Sequence, residues 1–175
     1  TFPDALHPAC TKDPVVQAQF RKRGVEDMAT ILQHRAAELK PGGWFVLTNF
    51  AVDADGQFLG KTASMKESMH DTFAALWKEI ATDEIFNATN FPNQYRTQAE
   101  HVEAVPSTLT LTSYKDQLVR CPFHERFMWG GYKSAEAYAD DYLNTTRTWS
   151  NSTILAGALA SVDHEEATRM GDEVC

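Results

Sequence analysis

Glu38-Leu-Lys-Pro-Gly-Gly-Trp-Phe-Val-Leu-Thr-Asn-Phe50 decides the reading of the fold, because it joins a helix stop directly to a β-prone run. Pro41 disfavours helical geometry at the residue before it, and Gly42 and Gly43 admit positive φ, so a helix ending at Lys40 turns sharply into the apolar run beginning at Trp44. Trp44 through Phe50 is bounded by turn residues and is too apolar for a strand with one face in water. The run predicts a buried, parallel strand. Asp53, Asp55 and Gly56 then mark a loop at its C-terminal end, where open α/β sheets place their ligands.

Upstream, Val25, Met28, Ala29, Leu32, Ala36 and Leu39 recur at helical spacing and predict a helix packed on a core. The stretch before it, through Pro14, holds Pro3, Pro8 and Pro14 and reads as a loop. Downstream, Ser64 and Glu67 have capping-box spacing ahead of Met65, Met69, Phe73, Leu76, Trp77 and Ile80 on one helical face. Thr97 and Glu100 form a second box before a short helix stopped by Pro106. Thr108 to Leu118 alternates Thr with Leu and predicts a strand exposed on one face. Ser134 caps a further helix, and Asp163 with Glu166 caps a last one. With no repeat and no low-complexity linker, residues 1–175 are expected to form a single domain: core helix and strand over 15–60, a helical cap over 61–106, and C-terminal strands and helices over 107–175.

The formal net charge of -8 at pH 7 excludes a general polyanion binder, so no nucleic acid is expected as a partner. No apolar run is long enough to span a membrane. Cys10, Cys121 and Cys175 are an odd set at wide spacing, matching neither a disulfide framework nor a zinc site, which places the chain in a reducing, cytoplasmic compartment. The six histidines are scattered without the i, i+4 spacing of a helical metal site. His124 and Glu125 near Cys121 are the close group with hydrolytic residue types, and no oxyanion-hole motif accompanies them.

Glu38 to Leu47 resembles the helix-turn-strand signature of class I S-adenosylmethionine-dependent methyltransferases. The flanks narrow the resemblance. Gln19-Phe20, Asp27, Leu32, Arg35-Ala36 and Glu38-Leu39, then Asn90-Phe91-Pro92 with Tyr95, are similar to motifs of the plant-type salicylate, jasmonate and theobromine (SABATH) carboxyl methyltransferases. The resemblance covers about Gln17 to Leu159 and implies an α/β fold: a partial Rossmann-like class I methyltransferase sheet under an α-helical substrate cap. It implies O-methylation of a small-molecule carboxylic acid, with S-adenosylmethionine as cofactor and a homodimer as an allowed assembly. No Gly-x-Gly-type loop comes after a strand, so no cofactor-binding residues are assigned and that site is expected to lie mostly outside this chain.

A carboxylate with a pKa of about 4 is already an ionised nucleophile at pH 7, so methyl transfer to it needs positioning rather than a base, and no catalytic residue is assigned. The resemblance implies a substrate pocket lined by Met65, Met69, Phe73, Trp77, Tyr95 and Trp149; the alternative for each is an ordinary core position. It also associates Asn87 and Asn90 with Mg²⁺, against a plain role in stabilising turns. A second functional reading belongs to another class: a truncated, noncatalytic homologue that binds a small ligand or pairs with another subunit.

Overall fold

The computed structural model describes residues 4–174, and the regular elements within them are helices: α1 (Pro14–Glu38), α2 (Met69–Ile80), α3 (Asp83–Ala88), α4 (Gln98–Glu103), α5 (Pro122–Met128), α6 (Ala135–Ala158) and α7 (His164–Val174). Pro3 of the expected opening loop, Cys175 and the outermost ends of the expected 1–175 span lie outside the described residues. No helix among them is long and apolar enough to cross a membrane. The chain divides into two compact units, one of residues 4–74 and 91–116, the other of residues 75–90 and 117–174.

In the unit of residues 4–74 and 91–116, Asp13 starts α1 by accepting the N–H groups of Val15 and Val16, with Pro14 in the first turn. Met28 and Leu32 of α1 pack against Ala104 behind α4. Thr97 and Glu100 close the capping box that their spacing predicts. The opening stretch has no regular structure, yet Ala5, Leu6 and His7 are buried. Several of its polar groups find partners: Asp4 accepts from Thr11 Oγ1 and from the Lys12 N–H at 2.6 Å each, and the Leu6 carbonyl accepts the N–H of the distant Phe91 at 2.7 Å.

In the unit of residues 75–90 and 117–174, α6 packs on α3, α5 and α7. Ile154 and Ala158 of α6 and Ala167 and Met170 of α7 are buried. Trp77 is fully buried and donates its indole N–H to Thr89 Oγ1 at 3.1 Å, while Thr89 Oγ1 donates to the Ile85 carbonyl at 2.8 Å. Phe127 of α5 stacks on Tyr138 of α6 with centroids 4.9 Å apart. Ser134 and Asp163 cap α6 and α7 as their spacing predicts.

Two expected strands are absent. Among the described residues there is no β-strand and no sheet, only an isolated parallel bridge between Ala51 and Arg96. Residues 44–50 and 110–120 carry no regular structure. β-Propensity makes a strand only where a neighbour accepts and donates along its backbone, and neither run has one here. The α/β, Rossmann-like fold class is therefore overturned. So is membership of the class I and SABATH-type methyltransferases, whose fold is a sheet. The signature misled because its turn is local chemistry: Gly42 has φ +76° and the Gly43 N–H bonds the Lys40 carbonyl at 2.8 Å, a turn that forms with or without a sheet beyond it.

A smaller correction concerns α2. Its box is formed by Ser68 and Asp71, one turn later than Ser64 and Glu67: the Asp71 carboxylate accepts the Ser68 N–H at 2.8 Å and hydroxyl at 2.7 Å, and the Asp71 N–H returns to Ser68 Oγ at 3.3 Å.

Candidate functional site

Trp44–Phe50 is held at both ends and free between them. The turn at Lys40–Gly43 fixes its start, since a Cβ on Gly43 would stand 2.9 Å from the Lys40 carbonyl oxygen. Its far end is pinned where the Val52 N–H donates to the Arg96 carbonyl at 3.0 Å, and Arg96 Nε in turn donates to the Gly24 carbonyl of α1 at 2.8 Å. Phe50 also meets the edge of the Tyr95 ring, at 6.3 Å and 83°. Beyond Val52, Asp53 organises a tight turn by accepting the N–H groups of Asp55 and Gln57 on Oδ1.

Between those anchors the run is exposed, and its exposure alternates: Trp44 76%, Phe45 37%, Val46 83%, Leu47 43% and Phe50 70%. Alternation with period two is the mark of an extended chain, with Trp44, Val46 and Phe50 on the outer face and Phe45 and Leu47 on the inner one. Among the described residues, no backbone hydrogen bond reaches positions 44–49, and the parallel bridge between Ala51 and Arg96 meets the run only at Phe50. Beside the pinned end lies an open groove of ≈ 800 Å³, lined by Val52, Ala54, Val102 and the carboxylates of Asp53, Glu103 and Asp116.

A second constellation is buried in the same unit. His7 stacks on His70 with centroids 4.3 Å apart and 10° between planes, and on Tyr95 at 4.8 Å. His70 Nε2 and the Tyr95 hydroxyl are hydrogen-bonded at 2.9 Å, and His7 Nδ1 accepts the Ala9 N–H at 3.0 Å. Burial first, then the neighbouring His70, push His7 down to about 3, against the smaller pull of the Asn93 backbone and Asp71. His7 Nε2 is nonetheless buried with no partner in hydrogen-bonding geometry, so the Asn93 backbone acts on it as a nearby dipole. Burial pushes His70 down to about 4. Both rings are neutral at pH 7.

Cys10 Sγ lies 3.4 Å from Ser68 Oγ, which donates to Asp71. Burial pushes the thiol up to about 12, so it is not a thiolate nucleophile at neutral pH. Burial likewise pushes Tyr95 up to about 12. Burial raises the Asp71 carboxylate, but the two hydrogen bonds from Ser68, with Cys10 and Lys61 beside it, together hold it below its ordinary value. Apart from the ionised Asp71 carboxylate, the cluster is a neutral, packed polar core. Sequence reasoning missed it because its members lie far apart along the chain, and no local spacing joins His7 to His70.

The expected substrate residues fall in different surroundings. Phe73 and Tyr95 are buried beside Phe91 and His70, Met69 is half-buried at the start of α2, and Met65 is exposed ahead of it. Trp77 and Trp149 belong to the other unit, the first buried and the second exposed on α6. Among the described residues there is no Rossmann-type sheet to carry S-adenosylmethionine, and the carboxyl O-methyltransferase activity expected from the resemblance is overturned with it. The Mg²⁺ expectation is corrected too. Asn87 on α3 and Asn90 just after it are half-buried neutral amides, and no group of three or more His, Cys, Asp or Glu side chains among the described residues is placed to hold a metal. No family model, no curated protein and no solved structure matches the chain.

Proposed function

We propose that the chain is a subunit-pairing module, which adds Trp44–Phe50 as a β-strand to another polypeptide. One observation carries the reading: seven successive uncharged, mostly apolar residues stand in water, and the six from Trp44 to Asn49 have no backbone partner. Exposed strand edges are normally protected by charge, bulges or brevity, and from Pro41 to Val52 no side chain is charged. Contiguous exposed apolar surface on this scale marks an interaction site. Strand addition satisfies the free N–H and C=O groups while alternate side chains give specificity. Anchoring at Lys40–Gly43 and at Val52 removes part of the ordering entropy before the partner arrives. Cys10 and Cys121 are free thiols, in keeping with a cytoplasmic setting for this pairing.

Amide hydrogen exchange tests the reading directly. It is measured at residues 44–50 in the full chain, over a range of concentrations and with a capped, Lys-flanked Thr-Val peptide as a generic strand edge. Pairing slows exchange at these amides by about tenfold or more, and Val46→Pro, which removes a donor from the middle of the run, abolishes the protection. Exchange at unstructured-chain rates under every one of these conditions sinks it.

A further inference from the structure

We infer that the partner strand is the same run of a second copy, laid antiparallel about a two-fold axis through Leu47. The inference rests on strand addition by Trp44–Phe50 and supplies its partner and register. Three observations point to this arrangement.

The first is charge. Lys40 stands at the N-terminal end of the uncharged stretch, and Asp53 and Asp55 stand just past its C-terminal end. Antiparallel pairing brings Lys40 of each copy to the Asp53–Asp55 turn of the other, at both ends of the ribbon. Parallel pairing would gather two lysines at one end and four carboxylates at the other. The groove beside that turn adds Glu103 and Asp116, so the end that receives the lysine is acidic beyond the turn itself.

The second is the alternation of exposure. With Leu47 opposite Leu47, Trp44 of each copy faces Phe50 of the other, and Val46 faces Thr48. Trp44, Val46 and Phe50 are the most exposed apolar side chains of the run, so this register gathers those of both copies on one face of the ribbon. Sliding by one residue would instead set the outer face of one copy against the inner face of the other.

The third is the length of chain free of charge. The chain carries a net charge of -8, and along the twelve uncharged residues from Pro41 to Val52 two copies meet without like charges in contact. An isologous interface needs such a self-complementary patch, and a two-fold placed at Leu47 centres it there.

Disulfide trapping reads this register. The chain carries Cys10, Cys121 and Cys175 replaced by serine, and cysteine is introduced at Leu47 or, separately, at Asn49. In the proposed ribbon the two residue-47 Cα atoms lie about 5 Å apart, within disulfide reach. The two residue-49 Cα atoms are separated by about 14 Å along the strands. Leu47→Cys is expected to form a crosslinked dimer at least tenfold faster than Asn49→Cys. Should Leu47→Cys disturb the run, mixing Val46→Cys with Thr48→Cys chains is expected to favour the heterodisulfide over either homodisulfide. Equal trapping at 47 and 49, with no heterodisulfide preference and with amides 44–50 protected, overturns the two-fold register but leaves strand addition standing. Unprotected amides overturn both.

Discussion

Gly157 is the residue whose replacement has the sharpest physical consequence. A Cβ there would lie 1.9 Å from Thr89 Oγ1 and 2.8 Å from the Thr89 Cα, so rotating the threonine does not relieve it and α3 must part from α6. Alanine in a helix interior is worth about 1 kcal/mol over glycine, but overpacking costs about 1–3 kcal/mol and also strains the Thr89 bond to the Trp77 indole. Gly157→Ala is expected to lower stability in urea unfolding by about 1–2 kcal/mol; a variant as stable as the parent would refute the close approach. His7 and His70 have a different signature. Their folded pKa values, about 3 and about 4, lie below the ordinary value of 6.5, so between 6.5 and the folded values the unfolded chain binds more protons and stability falls as pH falls. At pH 5 each histidine withdraws about 2 kcal/mol relative to pH 8. His7→Phe keeps the ring stack, gives up the Ala9 bond, and is expected to reduce the slope of stability against pH by about one proton. An unchanged slope would mean that His7 is already charged in the native state.

Between paired elements, the contact of Lys40 with Asp53 and Asp55 across the ribbon can be broken and restored by reversing charge. Lys40→Glu sets like charge against Asp53 and Asp55 of the partner and is expected to weaken self-association about tenfold, a little over 1 kcal/mol shared by two symmetric ends. Adding Asp55→Lys restores the opposite sign and with it most of the affinity. Asp53 is left in place because its carboxylate holds the turn. Weakening by both variants alike would refute the antiparallel contact. The elements also explain what was legible in sequence. Thr97–Glu100, Ser134 and Asp163 acted as caps because capping depends on a side chain and the next turn alone, and the stripe of α1 buried Met28 and Leu32 as its period requires. Trp44–Phe50 and Thr108–Leu118 read as strands because their residue types favour extended backbone, but pairing is a property of the neighbour and not of the run. Leu6 and His7 were hidden for the converse reason. They are buried from an irregular, proline-rich stretch, a place where neither period nor propensity reports burial.

At the scale of the whole molecule, net charge sets the conditions under which pairing is seen. Taken as point charges about 40 Å apart in water, two copies at -8 repel by about 7 kcal/mol before screening. At roughly 0.01 M salt the Debye length is about 30 Å and a few kcal/mol of that repulsion survive, whereas at roughly 0.15 M it is about 8 Å and almost none does. The contacts of Lys40 with Asp53 and Asp55 are exposed ion pairs worth about 0.2–1 kcal/mol at each end, and salt weakens them as well. The apolar contacts of Trp44, Val46 and Phe50 do not depend on charge. Long-range repulsion is the larger salt-sensitive quantity, so association is expected to tighten about tenfold or more as salt rises from roughly 0.01 to 0.15 M, measured by sedimentation equilibrium. Val46→Lys adds a charge to the middle of the ribbon in each copy and should abolish association at both salt concentrations. Dissociation on adding salt would mean that the copies are held by ion pairs, and the uncharged run would then lose its place as the pairing surface.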